Sequence, residues 1–439
     1  MSTDRPGDKT PVESLSQLCA AFEPKEPVRG RLGVEWEQLP VDPSSRLVPY
    51  AGERGVESLL AALSPPHEAV RENGHVTAVR LRGGGMVALE PGGQVEIASP
   101  PVDSLETVHR FLARVLKEVD GEARRRGFRL VPWGVAPHNG PEDLPDVPKR
   151  RYLLLKRHLE AAGARGRRMM KLTAATQVAL DYQDEADMAA KTRGALAALP
   201  YLVAFTANAP VAGGRRTRWL SQRPWIWRGT DPRRCGVPGF LFSERLGYAE
   251  LVRYALDRPV LFLMRNGAYV PVGERTFRRL LKSPGELGPV TLEDWDLHLS
   301  TCFPEVRLRG YVEIRTLDSL PLPLAMAAAA LFKGLLALEG PLAEWDALRP
   351  AYTPALLRRS LLEAARYGPH WQPPVGPPAE VVLRKMLMTA AEGLVALGEN
   401  PCWLAPLREL VERSSCPADF WRRDEAGVWR GPEDPDPVF

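Results

Sequence analysis

Apolar and polar residues alternate along residues 33–39, the two-residue period of a strand that buries one face. The same rhythm returns at 76–81, 86–90, 94–98, 131–135 and 176–182. Gly83-Gly84-Gly85 separates two of these runs and Pro91-Gly92-Gly93 the next pair, so antiparallel hairpins in a meander are predicted. Residues 260–264 and 268–270 bracket Arg265-Asn266-Gly267, which predicts another hairpin. Helical spacing governs other stretches. Residues 11–22 read as a first helix, and 104–126 as an amphipathic one with Ser104 as N-cap and Gly127 as stop. Residues 185–208 form a long apolar helix that Pro200 should kink or divide. From Leu322 onward helices dominate, interrupted by the Pro-rich stretch 372–378.

Strands and helices thus follow one another irregularly, without the regular strand-helix-strand units a parallel sheet requires. The pattern predicts an α+β protein with a largely antiparallel sheet covered by helices. Neither GxxxxGK[ST] nor a strand-anchored GxGxxG occurs, which disfavours a P-loop or Rossmann enzyme. The organisation read from the pattern is a disordered tail at 1–13, a single catalytic domain at 14–430 with a helical C-terminal part, and a frayed tail at 431–439.

Composition narrows the class. With 439 residues, 44% hydrophobic and 26% charged, the chain can bury a large core. A net charge of +4 is too small to imply a polyanionic partner unless it is clustered. The clusters that exist, Arg165 to Lys171 and Arg215 to Arg218, are short and have no interleaved aromatic ladder, so no nucleic-acid partner is expected. Five widely spaced cysteines without CxxC spacing argue against a disulfide scaffold or zinc site and fit a reducing compartment. The polar start lacks a signal-peptide core, and residues 320–338, broken by Pro321, Pro323 and Lys333, read as a buried helix rather than a membrane span. A cytoplasmic protein with no membrane partner, monomeric or homodimeric, is the expectation.

Candidate chemistry lies on the strands. Glu35 and Glu37 share a face with Cβ atoms about 7 Å apart, a spacing that suits two adjacent magnesium ions, though a half-exposed charged strand matches it as well. Gln94 and Glu96 share a face after a glycine turn, and an outward polar hairpin would look the same. Glu313 and Arg315 also project together, between Val312 and Ile314. A carboxylate can hold magnesium against phosphates while a guanidinium stabilises charge on a transferred phosphoryl group; a cross-strand salt bridge is the competing account.

Taken together these segments resemble glutamate-cysteine ligases of the plant and proteobacterial type. The resemblance is carried, in order, by GVEWEQ (33–38), LEPGGQVEIASPP (89–101), TAATQVALDYQDEADMAAKTR (173–193), NAPVAGG (208–214), WLSQRPWIWRGTDPRRCG (219–236), YALDRPVLFLMRNGAYV (254–270) and LEDWDLHLSTCFPEVRLRGYVEIRTLD (292–318). It implies a glutamine-synthetase-like fold, with a curved antiparallel sheet as active-site floor. It also implies an ATP- and Mg2+-dependent enzyme that phosphorylates the γ-carboxylate of L-glutamate and joins it to the amine of L-cysteine. The metal ligands it implies are Glu35, Glu37, Glu96 and Glu313, with Glu313 and Arg315 catalytic and Arg315 also on the nucleotide's phosphoryl group. Arg223 is implied as the grip on the glutamate α-carboxylate, Trp227 as a wall beside it, and Gln94 and Gln177 as further members of the substrate-binding group.

The sequence departs from that pattern in two places. Ala179 stands where the family has asparagine, and residues 134–137 lack an acid, so an amine acceptor other than cysteine is a second expectation and a non-catalytic binding protein a third. His138 and His298 are left off the catalytic set, and the regulatory cysteine positions of the plant enzymes are not recognisable, so no redox switch is expected.

Overall fold

Alternation becomes a sheet in the computed structural model, which describes residues 8–433. Its strands are β1 (Leu32–Val41), β2 (Glu68–Glu72), β3 (His75–Arg80), β4 (Met86–Leu89), β5 (Val95–Ala98), β6 (Arg129–Val131) and β7 (Thr176–Leu180), joined by Val306–Leu308 and Val312–Ile314. Among the described residues these form one nine-stranded sheet, in the order Val306–Leu308, Val312–Ile314, β7, β1, β5, β4, β3, β2, with β6 also on β1. Each pairing within it is antiparallel. With helices on one face, this is the α+β class the pattern predicts.

The period of two decides which side is which. Val34, Trp36, Val95, Ile97, Val178, Val312 and Ile314 are fully buried on the helix side. There they meet Leu105–Arg125, Glu185–Thr206 and Leu322–Leu336. Trp36 anchors β1 by donating its indole N–H to the Leu320 carbonyl at 2.8 Å. The helix Leu322–Leu336 is buried all round, and the next helix, Glu339–Leu348, turns from it by 95°. No single helix among the described residues is long and apolar enough to cross a membrane.

Several boundaries move for physical reasons. The strand expected at 131–135 stops at Val131, because Pro132 has no N–H for the ladder. The first helix shortens to Leu15–Cys19 plus a 3-10 turn, Ala20–Phe22, and begins at a Ser14 capping box with Gln17. Glu185–Thr206 runs as one helix through Pro200. Residues on all sides of its second half are buried, so packing outweighs the roughly 3 kcal/mol that an interior proline costs. The predicted hairpin forms as Phe262–Arg265 and Ala268–Pro271, where Asn266 and Gly267 take the two positive φ angles, 50° and 74°, of a tight two-residue turn.

Of the expected tails, residues 1–7 and 434–439 lie outside the described residues. The described parts are docked. Thr10 and Val12 bond the backbone of Leu292 and Val290, Pro432 accepts from the Trp133 indole at 2.9 Å, and Glu433 pairs with Arg129 at 2.7 Å.

The turn before β5 depends on close approach. A Cβ on Gly92 would stand 2.2 Å from the Lys171 carbonyl oxygen, so backbone would have to move. Gly92→Ala is expected to lower stability by about 2–3 kcal/mol, read by urea unfolding. A change under about 0.5 kcal/mol would mean that the turn is not held by this contact.

Candidate functional site

The face of the sheet away from the helices is acidic where β1, β5 and β7 meet. Glu37 lies directly opposite Glu96 and Glu35 directly opposite Gln177. Opposed residues have Cβ atoms about 4.5–5.5 Å apart, so Glu37 and Glu96 are like charges in contact range. With Glu90 from the turn ahead of β5, these acids line a cleft of about 500 Å³. Basic residues also line it: Arg223, Arg307, Arg309 and Arg315 on one side, and Lys149 and Arg151 at the start of the helix Arg150–Ala162. An acidic floor therefore meets a basic wall.

Electrostatics sharpen the contrast. Burial, then the neighbouring Glu90, pushes the Glu37 carboxyl up to about 8 against the pull of Arg223 and Arg315. Burial, then Glu35, Glu90 and Glu37, drives Glu96 well above the carboxylate range. Carboxyls crowded in this way ionise together only when a cation joins them. The donor set of Glu35, Glu37, Glu90 and Glu96, all hard oxygens, fits magnesium. Among the described residues no three acidic, His or Cys side chains yet converge around one point, so closing on an ion requires side-chain rotation.

Glu313 does not join that group. It is 1% exposed and is held by Arg307, its register partner, through two bonds of 2.5 and 2.7 Å, and by Arg315. Burial alone would raise its carboxyl, but Arg307 and then Arg315 hold it well below the usual range. Both its oxygens are engaged by guanidiniums in this geometry, so service as a metal ligand would require Arg307 or Arg315 to give way.

Gln177 couples the acidic and basic halves. Its amide N–H donates to Glu37 at 3.0 Å, and its oxygen accepts from Arg315 at 2.6 Å. Glu37 also accepts from the Ala175 N–H at 2.7 Å. Gln94, expected near substrate, is 1% exposed and braces the backbone: it accepts from Gly92 and donates to the Met170 and Thr173 carbonyls. Its amide thereby shapes the turn at the edge of the cleft.

Arg223, at the start of the helix Arg223–Arg228, is 3% exposed. It donates to the Arg315 carbonyl at 3.2 Å and stands 3.8 Å from Asp318, while its Nε has no hydrogen-bond partner. Trp227, one turn on, packs near Phe303 with ring centroids 5.9 Å apart. Ala179 lies opposite both Gly33 and Glu313, so that part of the floor carries no amide.

Sequence reasoning missed Glu90, Arg307 and Arg309. Alternation through Val306-Arg307-Leu308-Arg309 was the available signal for both arginines, and alternation through 86–90, which puts Glu90 on the face of Met86 and Ala88, was the signal for Glu90, although the strand itself ends at Leu89. His298 is buried, bonded to the Ala255 carbonyl and pushed down to about 3 by burial, which makes it a core group. His138 does not line the cleft. All five cysteines are free thiols.

Residues 31–434 match the family model described as glutamate-cysteine ligase family 2. The chain is 33% identical to the chloroplastic glutamate-cysteine ligase of Brassica juncea over 98% of its own length and 83% of that protein. Against the chloroplastic enzyme of Nicotiana tabacum it is 37% identical over 74% of its length, spanning 63% of that relative. Among solved structures, the glutamate-cysteine ligase of Francisella tularensis, in complex with AMP, aligns over 88% of this chain and 82% of its own with a TM-score of 0.52. At 11% identity that likeness speaks for the fold, and with the sequence matches it leads to one conclusion: the chain belongs to glutamate-cysteine ligase family 2.

Proposed function

We propose that this chain joins the γ-carboxylate of glutamate to the amine of cysteine, with ATP as phosphoryl donor and γ-glutamyl phosphate as intermediate. The observation that carries the reading is the acidic floor facing an arginine wall across one cleft, in a member of this family. The names of the relatives, and the AMP held by the Francisella tularensis enzyme, support it.

Glu35, Glu37 and Glu96, with Glu90 beside them, would hold magnesium. Bound there, the metal would neutralise phosphate charge and orient the donor. The rest falls to the chain. Arg315, fixed by Glu313 and Gln177, presents its guanidinium where charge grows on the transferred group. Arg223 offers a fork to the α-carboxylate of glutamate, and Trp227 closes that side against water.

ADP release with glutamate and a panel of amines tests the reading. Dependence on both glutamate and an amine is expected; no release with any amine would end the ligase proposal. A far higher kcat/KM with another acceptor would replace cysteine, which the bare floor at Ala179 makes worth measuring. Arg223→Lys keeps the charge but loses the fork, so KM for glutamate is expected to rise by about 10- to 100-fold with ATP unaffected. Unchanged KM for glutamate would remove Arg223 from the substrate site.

A further inference from the structure

The helix Ala379–Ala396 packs on Glu185–Thr206 and Leu322–Leu336, on the side of the sheet away from the cleft. Its inner face is buried through Leu383, Met386, Leu387 and Leu394. Its outer face carries Val381, Met388 and Val395, which are 41%, 65% and 63% exposed. They are three of the eight large apolar side chains that reach solvent among the described residues, and they share one helix. Steps of seven return to within about 20° of the same side, so the three form a stripe about 21 Å long. Apolar residues exposed singly are ordinary, whereas a line of them marks a surface that another surface covers.

Charges beside the stripe decide what covers it. Arg384 and Lys385 lie between Val381 and Met388, and Glu392 lies between Met388 and Val395, all three exposed. Lys385 and Glu392 have no ion-pair partner among the described residues, and Arg384 has only Glu380 of its own helix, at 2.8 Å. A two-fold axis at Met388 that sets the helix antiparallel to its copy brings Val381 against Val395. The same axis brings Arg384, with Lys385 beside it, against Glu392, and each contact occurs twice. Parallel alignment in register would instead stack Arg384, Lys385 and Glu392 each on its own kind. The stripe is therefore complementary to itself in one direction only.

We infer that this helix is the interface of a two-fold homodimer, in which two copies of the chain pair antiparallel through Val381, Met388 and Val395. Apolar contact supplies the attraction, and the pairing of Arg384 and Lys385 with Glu392 sets direction and register. One pair of 18-residue helices covers less than the roughly 1,200–2,000 Å² of a stable complex, so association is reversible, with Kd about 1–100 µM. Both clefts stay open, because the helix lies behind the sheet from them. Pairing does not depend on which amine the cleft accepts, or on whether it turns over.

Sedimentation velocity of the full chain from about 1 to 200 µM, the range that brackets that Kd, is the test. Wild type is expected to pass from monomer to dimer across it. Met388→Asp puts two like charges on the axis and should stay monomeric throughout, with ADP release per chain equal to the wild type's. Glu392→Lys sets a cation against Arg384 and Lys385, and the double variant Arg384→Glu/Lys385→Glu sets acids against Glu392. Each of these alone should associate at least about tenfold more weakly than wild type. Mixed together, they restore opposite charges at both ends and should form a heterodimer at wild-type concentrations. All the substituted positions are exposed, so the far-UV circular dichroism of each variant should match the wild type's. A wild type that is monomeric at the highest concentration, a dimer that survives Met388→Asp, or charge variants that do not associate on mixing would overturn the inference.

Discussion

Glu313→Gln is expected to cut turnover by about a thousandfold or more and also to lower stability by about 3 kcal/mol. Both effects come from one geometry. The carboxylate is buried and takes three bonds from Arg307 and Arg315, so the amide would leave two guanidiniums in a dry site with half their partner. Arg315 would then lose its aim at the transferred group. ADP release and urea unfolding measure the two effects separately. Replacing Arg307 by Met in the same chain removes the cation that Glu313 was neutralising, so the double variant should recover stability but not turnover. Unchanged turnover in Glu313→Gln would refute the role given to the Glu313–Arg315 pair.

A comparable effect is expected from the crowded acids, with a sign set by pH. In the metal-free chain Glu37 is pushed up to about 8 and Glu96 is raised well above the usual carboxylate range, whereas unfolded glutamates titrate at about 4.3. Between those values the folded state binds more protons than the unfolded one. Stability is therefore highest below about pH 4.5, as far as these two groups go, and falls by a few kcal/mol as pH rises toward 8. Magnesium binds the ionised form, so the rise in Tm on adding Mg2+ should be larger at pH 8 than at pH 6. Glu96→Gln removes the like charge opposite Glu37; the metal-free variant should be more stable than the parent at pH 8, with a flatter pH profile, no Mg2+ shift and no turnover. A parent Tm that ignores Mg2+ at pH 8 would remove the proposed metal site.

The floor was readable from the chain because its information is local. Glu35 and Glu37 flank Trp36, and an apolar residue between two acids on a strand specifies which side is core. The partners of these residues were not local. Arg307 reaches Glu313 across a hairpin, Gln177 reaches Glu37 from 140 positions away, and Gln94 turns to carbonyls of a helix whose docking no period reveals. The two accounts left open for Glu313, metal ligand or cross-strand salt bridge, differ only in what stands opposite, and register decides that.

By itself, then, the sequence determined the α+β class, the meander through Gly83 and Gly92, the acidic face of the central strands and the family. These follow from side-chain period, turn chemistry and ordered motifs, all of which are written along the chain. Only the tertiary structure decided that Glu313 is locked to Arg307, that Gln94 braces a turn, and that Gln177 bridges Glu37 and Arg315. The physical reason is that burial and charge pairing depend on which strands and helices meet, and a carboxylate's role is set by its neighbours in space.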